Sequence, residues 1–225
     1  MKIALIGKGK TGGQILKLSN QHQVEVFDSK NNVTVDKLKD IDVAIAFVDG
    51  KIFKQLIPIL IKSKVPVVTG STGLKWQENT DELLKENNLK WITSSNFSLG
   101  MRIAHEMILK LKNATKLFQD YHFSMNEIHH TKKLDAPSGT ALSWEKWVGE
   151  EVNIQSERIG DTVGTHEITL NTPYEKITLK HEALDRKIFA EGALWAANYL
   201  IQSHELDYGL HYFETIVKNK IDNNN

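Results

Sequence analysis

Near its start the chain reads Ile3-Ala4-Leu5-Ile6-Gly7-Lys8-Gly9-Lys10-Thr11-Gly12. A short apolar run leads here into a G-x-G-x-x-G pattern, and residues 14–18 follow with the character of a helix. In such a turn the first glycine permits the tight bend, the second lets the backbone approach a pyrophosphate, and the helix N-terminus offers N–H groups to the phosphates. The stretch predicts a dinucleotide-binding unit whose third glycine is Gly12 or Gly13. The expected cofactor contacts are Gly7, Lys8, Gly9, Lys10, Thr11 and Gly12.

Asp28 ends the predicted second strand and lies 21 residues after Gly7. An acidic residue at this place typically binds the ribose hydroxyls of a dinucleotide. Its charge repels a 2′-phosphate and so favours NADH, while Lys8, Lys10 and Lys30 are near enough in sequence to weaken that repulsion. The prediction is therefore NADH or NADPH, with NADH slightly favoured. The alternative for Asp28 is a turn residue at the end of the strand.

Apolar runs alternate with helical stretches, which predicts a parallel sheet with right-handed crossovers. The predicted strands are Ile3–Ile6, Val24–Phe27, Val43–Val48, Val65–Val68 and Trp91–Thr93, with a helix disturbed by Pro58 over Phe53–Ile61. Polar segments follow the fourth and fifth strands, at the carboxyl ends where cofactor and substrate meet in such folds. Each segment could equally be a plain turn. Their expected cofactor contacts are Gly70, Ser71, Thr72, Ser94, Ser95, Asn96 and Phe97, with Thr72 also contacting the substrate.

After about residue 97 the pattern changes to that of an α+β domain. Helices are predicted over Met101–Lys112, Ser138–Val148 and Gly192–Gln202, and a strand over Phe118–Ile128. Glu167–Leu170 and Ile177–Lys180 are predicted as antiparallel strands joined by a turn at Thr172–Tyr174. The polar tail from Lys218 to Asn225, which ends in three asparagines, is predicted to fray.

Composition limits the classes of function. Lys plus Arg and Asp plus Glu both number 28, so net charge gives no argument for a nucleic acid or a membrane surface as partner. The chain has no cysteine, which excludes disulfides, thiolate catalysis and cysteine metal sites. The first residues do not form a signal-peptide pattern, and no apolar stretch approaches the roughly 18 residues that span a bilayer. We therefore expect a cytoplasmic protein.

The most informative segment reads Glu127-Ile128-His129-His130-Thr131-Lys132-Lys133-Leu134-Asp135-Ala136-Pro137-Ser138-Gly139-Thr140-Ala141. It places two histidines and two lysines within five residues, and the Pro-Ser-Gly-Thr that follows is typical of a helix start. Free N–H groups near Gly139 and Thr140 could bind a carboxylate. Lysine adds a positive charge, and histidine exchanges a proton near neutral pH. An anion site beside a proton donor is what a reductase of an anionic substrate needs.

Other interpretations of this segment are a metal site, a solvated basic loop and a histidine packed in the core. Neighbouring residues of a strand face opposite ways, so His129 and His130 are poorly placed to chelate, and no H-E-x-x-H spacing is present. We therefore predict no metal. His166 and His181 are predicted to be surface or core residues.

At this segment the sequence resembles the dihydrodipicolinate reductase family, whose signature E-x-H-H-x-x-K-x-D-A-P-S-G-T-A is matched from Glu127 to Ala141. The resemblance implies NAD(P)H-dependent reduction of a cyclic imine dicarboxylate in diaminopimelate and lysine biosynthesis. It implies that His129 acts in proton transfer and that Lys133 protonates or polarises the reduced centre, without deciding which of them delivers the proton. The substrate carboxylates would be bound by His130, Gly139 and Thr140.

The resemblance also implies a homotetramer assembled through the second domain. The expected fold is α/β, with a Rossmann-type parallel-sheet domain over residues 1–96 and 187–225. A smaller α+β substrate-binding and oligomerisation domain is expected over residues 97–186. The chain departs from the family where the glycine loop usually continues G-R-M-G, since it reads Lys10-Thr11-Gly12-Gly13 here. It is also short for the family, so trimmed helices and loops are expected in the first domain.

Two rival hypotheses stay open. A nucleotide-sensing binding protein would keep the dinucleotide unit and lack chemistry, whereas a reductase of another amino-dicarboxylate would differ only in substrate. Turnover with a cyclic imine would exclude a nucleotide-sensing protein without chemistry. A panel of substrates would distinguish a reductase of another amino-dicarboxylate from the dihydrodipicolinate reductase that the resemblance implies.

Overall fold

The computed structural model describes residues 1–222. The residue contacts divide the chain into two compact units, one formed by Met1–Ser98 together with the chain from Lys187 onward, the other by Leu99–Arg186. The first unit is therefore discontinuous in sequence, and the second is inserted into it.

The first unit contains a six-stranded sheet in which every pair of neighbouring strands is parallel. Its strands are β1 (Lys2–Ile6), β2 (Gln23–Phe27), β3 (Val43–Ala46), β4 (Val67–Thr69), β5 (Lys90–Thr93) and β10 (Gly209–Tyr212). Its helices are α1 (Lys10–Leu18), α2 (Gly50–Lys62), α3 (Thr80–Glu86), α6 (Lys187–Gln202) and α7 (Phe213–Asp222). The strand order is β10-β5-β4-β3-β1-β2, which confirms the predicted Rossmann-type parallel sheet.

The central strands form because their residues are apolar on both faces. All four residues of β3 are buried, as are the last four of β1, and such continuous apolar runs are typical of parallel strands covered by helices on both sides. β2 and β3 lie on opposite sides of β1 in the sheet, so the order in which successive strands are added reverses at β1. The loop after β1 therefore lies at the topological switch point, where open α/β sheets bind their ligands.

A close approach between two glycines fixes the geometry of that loop. Gly7 has a φ of +91°, which favours glycine, and a Cβ on Gly12 would lie 2.0 Å from the carbonyl oxygen of Gly7. A Cβ on Gly13 would have no neighbour within 4 Å. Gly12 is therefore the third glycine of the motif, and the choice left open by the sequence is decided by this contact.

The second unit packs two helices on a four-stranded mixed sheet. Its elements are α4 (Leu99–Ala114), β6 (His122–His129), α5 (Gly139–Val148), β7 (Val152–Arg158), β8 (Gly164–Asn171) and β9 (Lys176–Ala183). The order is β7-β6-β8-β9, with β7 parallel to β6 and the other two pairs antiparallel. Trp144, Phe123 and Ile108 contribute to its buried core. The predicted α+β character and the β8–β9 hairpin are confirmed.

Several predicted boundaries were wrong. The helix predicted over Phe53–Ile61 is α2, which begins three residues earlier at Gly50 and contains Pro58 in its interior. The third strand stops at Ala46, because beyond it Val48 donates its N–H to the hydroxyl of Ser71 rather than to a neighbouring strand. Residues 118–121 precede β6, since the partner strand β8 ends opposite His122.

The sequence missed α3, β7, β10 and α7. The tail predicted to fray is helical in α7 as far as Asp222, and Asn223, Asn224 and Asn225 lie outside the described residues. No helix within residues 1–222 is long and apolar enough to cross a membrane.

Candidate active site

A cavity of about 440 Å³ opens at the carboxyl ends of the strands of the first unit. The helix N-terminus in its wall has Gly9 as its N-cap, and no side chain caps it. Its first N–H groups therefore remain available to an anion, which fits the phosphates of a dinucleotide. The residues that line the cavity are Gly9, Lys10, Thr11, Phe47, Val48, Asp49, Gly70, Thr72, Ser95, Phe97 and Phe189.

Seven of the predicted cofactor residues are in this lining, namely Gly9, Lys10, Thr11, Gly70, Thr72, Ser95 and Phe97. Others support the loops around it. Ser71 accepts a hydrogen bond from the hydroxyl of Thr69 at 3.0 Å. The hydroxyl of Ser94 accepts the N–H of Asn96 at 3.0 Å and donates to its carbonyl at 2.9 Å. Gly7 and Gly12 shape the turn, and Lys8 is exposed beside it.

Four lining residues were missed by the sequence analysis: Phe47, Val48, Asp49 and Phe189. The first three directly follow β3, and their position after a predicted parallel strand was a usable signal. Phe189 is on α6, far away in sequence, and no pattern pointed to it.

Asp28 makes the contacts of a turn residue at the end of β2. Its Oδ1 accepts the backbone N–H groups of Lys30 and Asn31, at 2.8 and 3.2 Å. These hydrogen bonds lower the pKa of Asp28, and Lys30 and Lys8 lower it further. The carboxylate is thus ionised and exposed at the end of β2, but it does not line the cavity.

His129 and Glu127 lie on the same face of β6, two residues apart, and both are buried. Nδ1 of His129 is 2.5 Å from Oε2 of Glu127. Burial lowers the pKa of His129, an effect that the charge of Glu127 partly opposes. Burial alone would raise the pKa of Glu127, but hydrogen bonds from Ser156, Arg158 and Ser138 lower it more, so the carboxyl is ionised.

Arg158 connects Glu127 to the loop that follows β6. On β7 it lies beside His129 in the parallel ladder. Its guanidinium donates to Oε1 of Glu127 at 3.0 Å and to the carbonyl oxygens of Lys133 and Asp135. The loop that carries the motif lysine is thereby held against the buried carboxylate. Nothing in the sequence pattern had pointed to Arg158 in this role.

Lys133 is paired with Asp135 in this structure. Its Nζ lies 2.8 Å from each carboxylate oxygen of Asp135. This hydrogen-bonded pair lowers the pKa of Asp135, and the N–H of Gly139 contributes in the same direction. The lysine is mostly buried, whereas the aspartate is 58% exposed.

The turn before α5 differs in one respect from the prediction. The N-cap is Ser138, whose hydroxyl accepts the N–H of Ala141 at 3.1 Å, so Pro137 lies outside the helix and is not its first residue. The Ala136–Pro137 peptide is cis. Gly139 is exposed and Thr140 half-buried in the first turn, which leaves both near the N-terminal end of α5.

The remaining histidines have distinct surroundings. His166 is buried on β8 opposite Glu127, and its Nε2 is 3.1 Å from the hydroxyl of Ser138. Burial and the neighbouring His129 lower the pKa of His166 to about 4, so it is neutral. His130 follows the end of β6 and is half-buried, while His181 is half-buried on β9.

One cluster in the described residues has the composition of a metal site. Glu127, His129 and His166 each bring a potential ligand atom within 4.8 Å of the others. The sequence pattern pointed only to the adjacent histidines His129 and His130, because the pairing of Glu127 with His166 across two strands is not visible in it. Both oxygens of Glu127 already face protein groups, one of them the cationic Arg158, and Nε2 of His166 faces Ser138. These contacts fit a hydrogen-bonded network better than a metal centre.

Comparisons with known proteins cover almost the whole chain. The family model for the N-terminus of dihydrodipicolinate reductase matches residues 1–97, and the model for the C-terminus matches residues 103–213. The 4-hydroxy-tetrahydrodipicolinate reductase of Christiangramia forsetii is 35% identical over 222 residues, covering 89% of this chain and 92% of that protein. The enzyme of the same name from Thermosipho africanus is 31% identical over 223 residues, covering 97% of this chain and 98% of that protein.

A solved structure supports the fold. The dipicolinate-bound dihydrodipicolinate reductase from Paenisporosarcina sp. TG-14 superimposes with a TM-score of 0.76 over 96% of this chain and 99% of that one, at 22% identity. Two family models that together match most of the chain, and relatives above 30% identity over nearly its full length, agree with the motif from Glu127 to Ala141. This chain is a member of the dihydrodipicolinate reductase family.

Proposed function

We propose that this protein is a 4-hydroxy-tetrahydrodipicolinate reductase, which uses NADH or NADPH to form tetrahydrodipicolinate in diaminopimelate and lysine biosynthesis. The observation that carries the proposal is the surroundings of His129: a buried imidazole anchored on Glu127 at the end of a strand that leads directly to a lysine and a helix N-terminus. Proton exchange and anion binding are thus built into one segment. The names of the two relatives agree with this activity.

The substrate carries two carboxylates, and the second unit offers complementary groups. Lys133 supplies a positive charge, and Gly139 and Thr140 stand in the first turn of α5, where N–H groups and the helix dipole attract an anion. His130, three residues before Lys133, is the proposed further donor. In the first unit, Thr72 in the cavity wall is the proposed substrate contact. That the Paenisporosarcina structure has dipicolinate, a planar diacid, bound to it supports recognition of this kind.

When bound, the nicotinamide would supply a hydride to a ring carbon of the α,β-unsaturated imine that the 4-hydroxy substrate becomes on losing water, and the protein must supply a proton to the neighbouring carbon. We assign this proton to Nε2 of His129, because Nδ1 faces Glu127. Burial lowers the pKa of His129 in the free protein. Two substrate carboxylates nearby would raise that pKa again, so that the proton arrives together with the substrate. Lys133 then stabilises negative charge by position rather than by transferring a proton.

The cofactor is proposed to lie in the cavity of the first unit, with its phosphates at the uncapped N-terminus of α1. The cofactor residues are those predicted from the sequence, with Asp28 favouring NADH over NADPH. A cytoplasmic location is proposed from the biosynthetic enzyme family to which the chain belongs. A homotetramer is proposed from the family resemblance.

The test couples the purified protein to a synthase that makes the cyclic imine from pyruvate and aspartate semialdehyde, and follows NADH absorbance. We expect NADH oxidation that depends on the condensation product. A protein that binds NADH by fluorescence titration but shows no substrate-dependent loss of absorbance is a nucleotide-binding protein without this chemistry. Faster turnover with another amino-dicarboxylate imine in the same assay would replace the substrate assignment.

A further inference from the structure

We infer that Glu127 is a positioning residue with two roles. It sets which nitrogen of His129 exchanges protons, and it holds the start of α5 at a fixed position relative to His129. The inference rests on the proposed function, since it gives His129 its role. It concerns a carboxylate that does not touch the substrate and acts only through its neighbours.

The first contact is with the imidazole. Glu127 is fully buried, and its Oε2 is 2.5 Å from Nδ1 of His129. Both atoms are buried, and neither makes a hydrogen bond of standard geometry in this structure, so they lie in a close polar contact with each other. The exposed 9% of the His129 side chain lies elsewhere on the ring. An ionised carboxylate only accepts hydrogen bonds, so Nδ1 must carry the hydrogen. The neutral ring is thereby fixed in the tautomer whose Nε2 lone pair is free to take a proton.

The second contact is with the start of α5. Oε1 of Glu127 accepts the backbone N–H of Ser138, the N-cap residue, at 3.3 Å, and a guanidinium N–H of Arg158 at 3.0 Å. One carboxylate therefore touches both the proton-exchanging residue and the turn proposed to bind the substrate carboxylate. The charge of Arg158 offsets the cost of keeping Glu127 ionised in the interior.

The third observation concerns the opposite edge of the ring. A Cβ on Gly164 would lie 3.0 Å from Nε2 of His129. The φ of Gly164 is not in the left-handed region, so its backbone does not require glycine. The absence of a side chain leaves space next to Nε2, the atom that the contact with Glu127 makes available.

Charged and titratable groups from every neighbouring element act on His129. Besides burial, the charges of Lys133, in the loop after β6, and of Arg158, on β7, lower the pKa of His129. The charge of Glu127 on β6 raises it. His166 on β8 is neutral at pH 7, and His181 on β9 lies behind it. Replacing Glu127 by a neutral residue must therefore lower the pKa of His129 and move the corresponding limb of the pH–rate profile to lower pH.

The experiment compares Glu127→Gln with Glu157→Gln in the coupled assay. Glutamine keeps the volume but has one acceptor oxygen where the carboxylate has two. If that oxygen accepts from Ser138 and Arg158, the amide NH2 faces Nδ1, and in either orientation the charge beside the imidazole is lost. We expect kcat to fall about 10²-fold or more with KM changed less than about threefold, and the pH limb to move down. Glu157 is exposed on β7 and bonds Asn126, so its variant should match the wild type.

A spectroscopic measurement separates positioning from a general loss of structure. Long-range ¹H–¹⁵N spectra of histidine-labelled protein, assigned with His129→Asn, report which ring nitrogen carries the hydrogen. We expect Nδ1–H in the wild type and a changed tautomer population in Glu127→Gln, with NADH binding in the first unit unchanged. Gly164→Ala should lower kcat without changing the tautomer, because its Cβ would crowd the Nε2–Cδ2 edge of the His129 ring, away from Nδ1.

An unchanged tautomer together with an unchanged pH profile in Glu127→Gln would overturn the inference, as would a rise in KM at constant kcat. These outcomes differ from failure of the proposed function, in which the wild type itself shows no turnover. The tautomer of His129 can be measured in that case too, and it tests the contact independently of activity.

Discussion

Asp135 places both of its carboxylate oxygens 2.8 Å from Nζ of Lys133. The same carboxylate also interacts with the N–H of Gly139. These are two of the groups proposed to bind a carboxylate of the substrate. An internal carboxylate therefore satisfies them in this structure, and a substrate carboxylate that binds them must displace Asp135.

Asp135→Asn should consequently strengthen the binding of dicarboxylates. Asparagine keeps the shape of aspartate but binds the ammonium group of Lys133 more weakly. The internal group that competes with a ligand carboxylate for Lys133 is thereby weakened. Because the Asp135 side chain is 58% exposed, we expect only about a two- to fivefold decrease in the inhibition constant of pyridine-2,6-dicarboxylate. Steady-state inhibition against the cyclic imine measures it.

Lys133→Ala should weaken inhibition by pyridine-2,6-dicarboxylate by a larger factor than Asp135→Asn strengthens it. The same change should raise KM for the substrate and strongly lower kcat. Lys132→Ala is the matched control, because Lys132 is exposed next to it in the same loop. If Asp135→Asn weakens the inhibitor as Lys133→Ala does, Asp135 orients the lysine instead of competing with the ligand.

Thr140→Val should weaken inhibition by pyridine-2,6-dicarboxylate about tenfold. The change keeps the volume and removes a hydroxyl donor to a charged acceptor, a loss on the order of 1 kcal/mol or somewhat more. Ser143→Ala is the control, since this hydroxyl of the same helix donates to the carbonyl of Gly139. Equal inhibition constants for wild type and Thr140→Val would remove Thr140 from the carboxylate site.

Gly12→Ala and Gly13→Ala should differ sharply although they are neighbours in α1. The Cβ at position 12 would meet the oxygen of Gly7 at 2.0 Å, whereas the Cβ at position 13 has space. We expect Gly12→Ala to lower the free energy of unfolding by about 1–3 kcal/mol and to weaken NADH binding. Gly13→Ala should be neutral or stabilising by up to about 1 kcal/mol. Urea denaturation and NADH fluorescence report both, and similar behaviour of the two variants would contradict this geometry.

Asp28→Ser should raise the preference for NADPH relative to NADH. Serine retains an acceptor for the turn with Lys30 and Asn31 but removes the charge that repels a 2′-phosphate. The measurement is the ratio of kcat/KM for the two cofactors. If that ratio stays constant, Asp28 serves the turn alone.

His166 should make the protein less stable in mild acid. Its pKa is about 4 in the folded state against 6.5 for an ordinary histidine. Between these values the unfolded chain takes up a proton that the folded protein excludes, so stability is lost as the pH falls from about 6.5 towards 4. From pH 7 to pH 5 the contribution is about 2 kcal/mol.

His166→Gln keeps a polar partner for Ser138 and does not titrate there. Its free energy of unfolding should fall less between pH 7 and pH 5 than that of the wild type. His204→Gln changes an exposed histidine and should follow the wild type. A wild-type slope in His166→Gln would assign the acid sensitivity to another group.

The sequence predicted those parts of the fold that are buried on both faces or follow a known motif. β1, β3, β4 and β5 are mostly buried apolar runs, and β2, which alternates between exposed and half-buried residues, follows the dinucleotide motif. The existence of all five strands was confirmed with small errors at the ends. β7 and β10 are edge strands, and most residues of β7 are exposed or half-buried, so their sequences carry no alternation to detect. They form because an adjacent strand offers a ladder of hydrogen bonds, which no local pattern reports.

The candidate site divides in the same way. The contact of Glu127 with His129 follows from the two-residue period of a strand and was open to prediction. The partners Arg158, Gly164 and His166 come from neighbouring strands, and their alignment depends on a register that a single sequence does not reveal.

The split of the first unit around the second also dictates an order during synthesis. β10 completes the parallel sheet, and the chain reaches it only after the whole of the inserted unit has been translated. On the ribosome, residues 99–186 can therefore emerge and collapse while β5 still has an unpaired edge. A nascent chain stalled before Gly209 leaves the edge of β5 open to pairing with other chains until β10 is made.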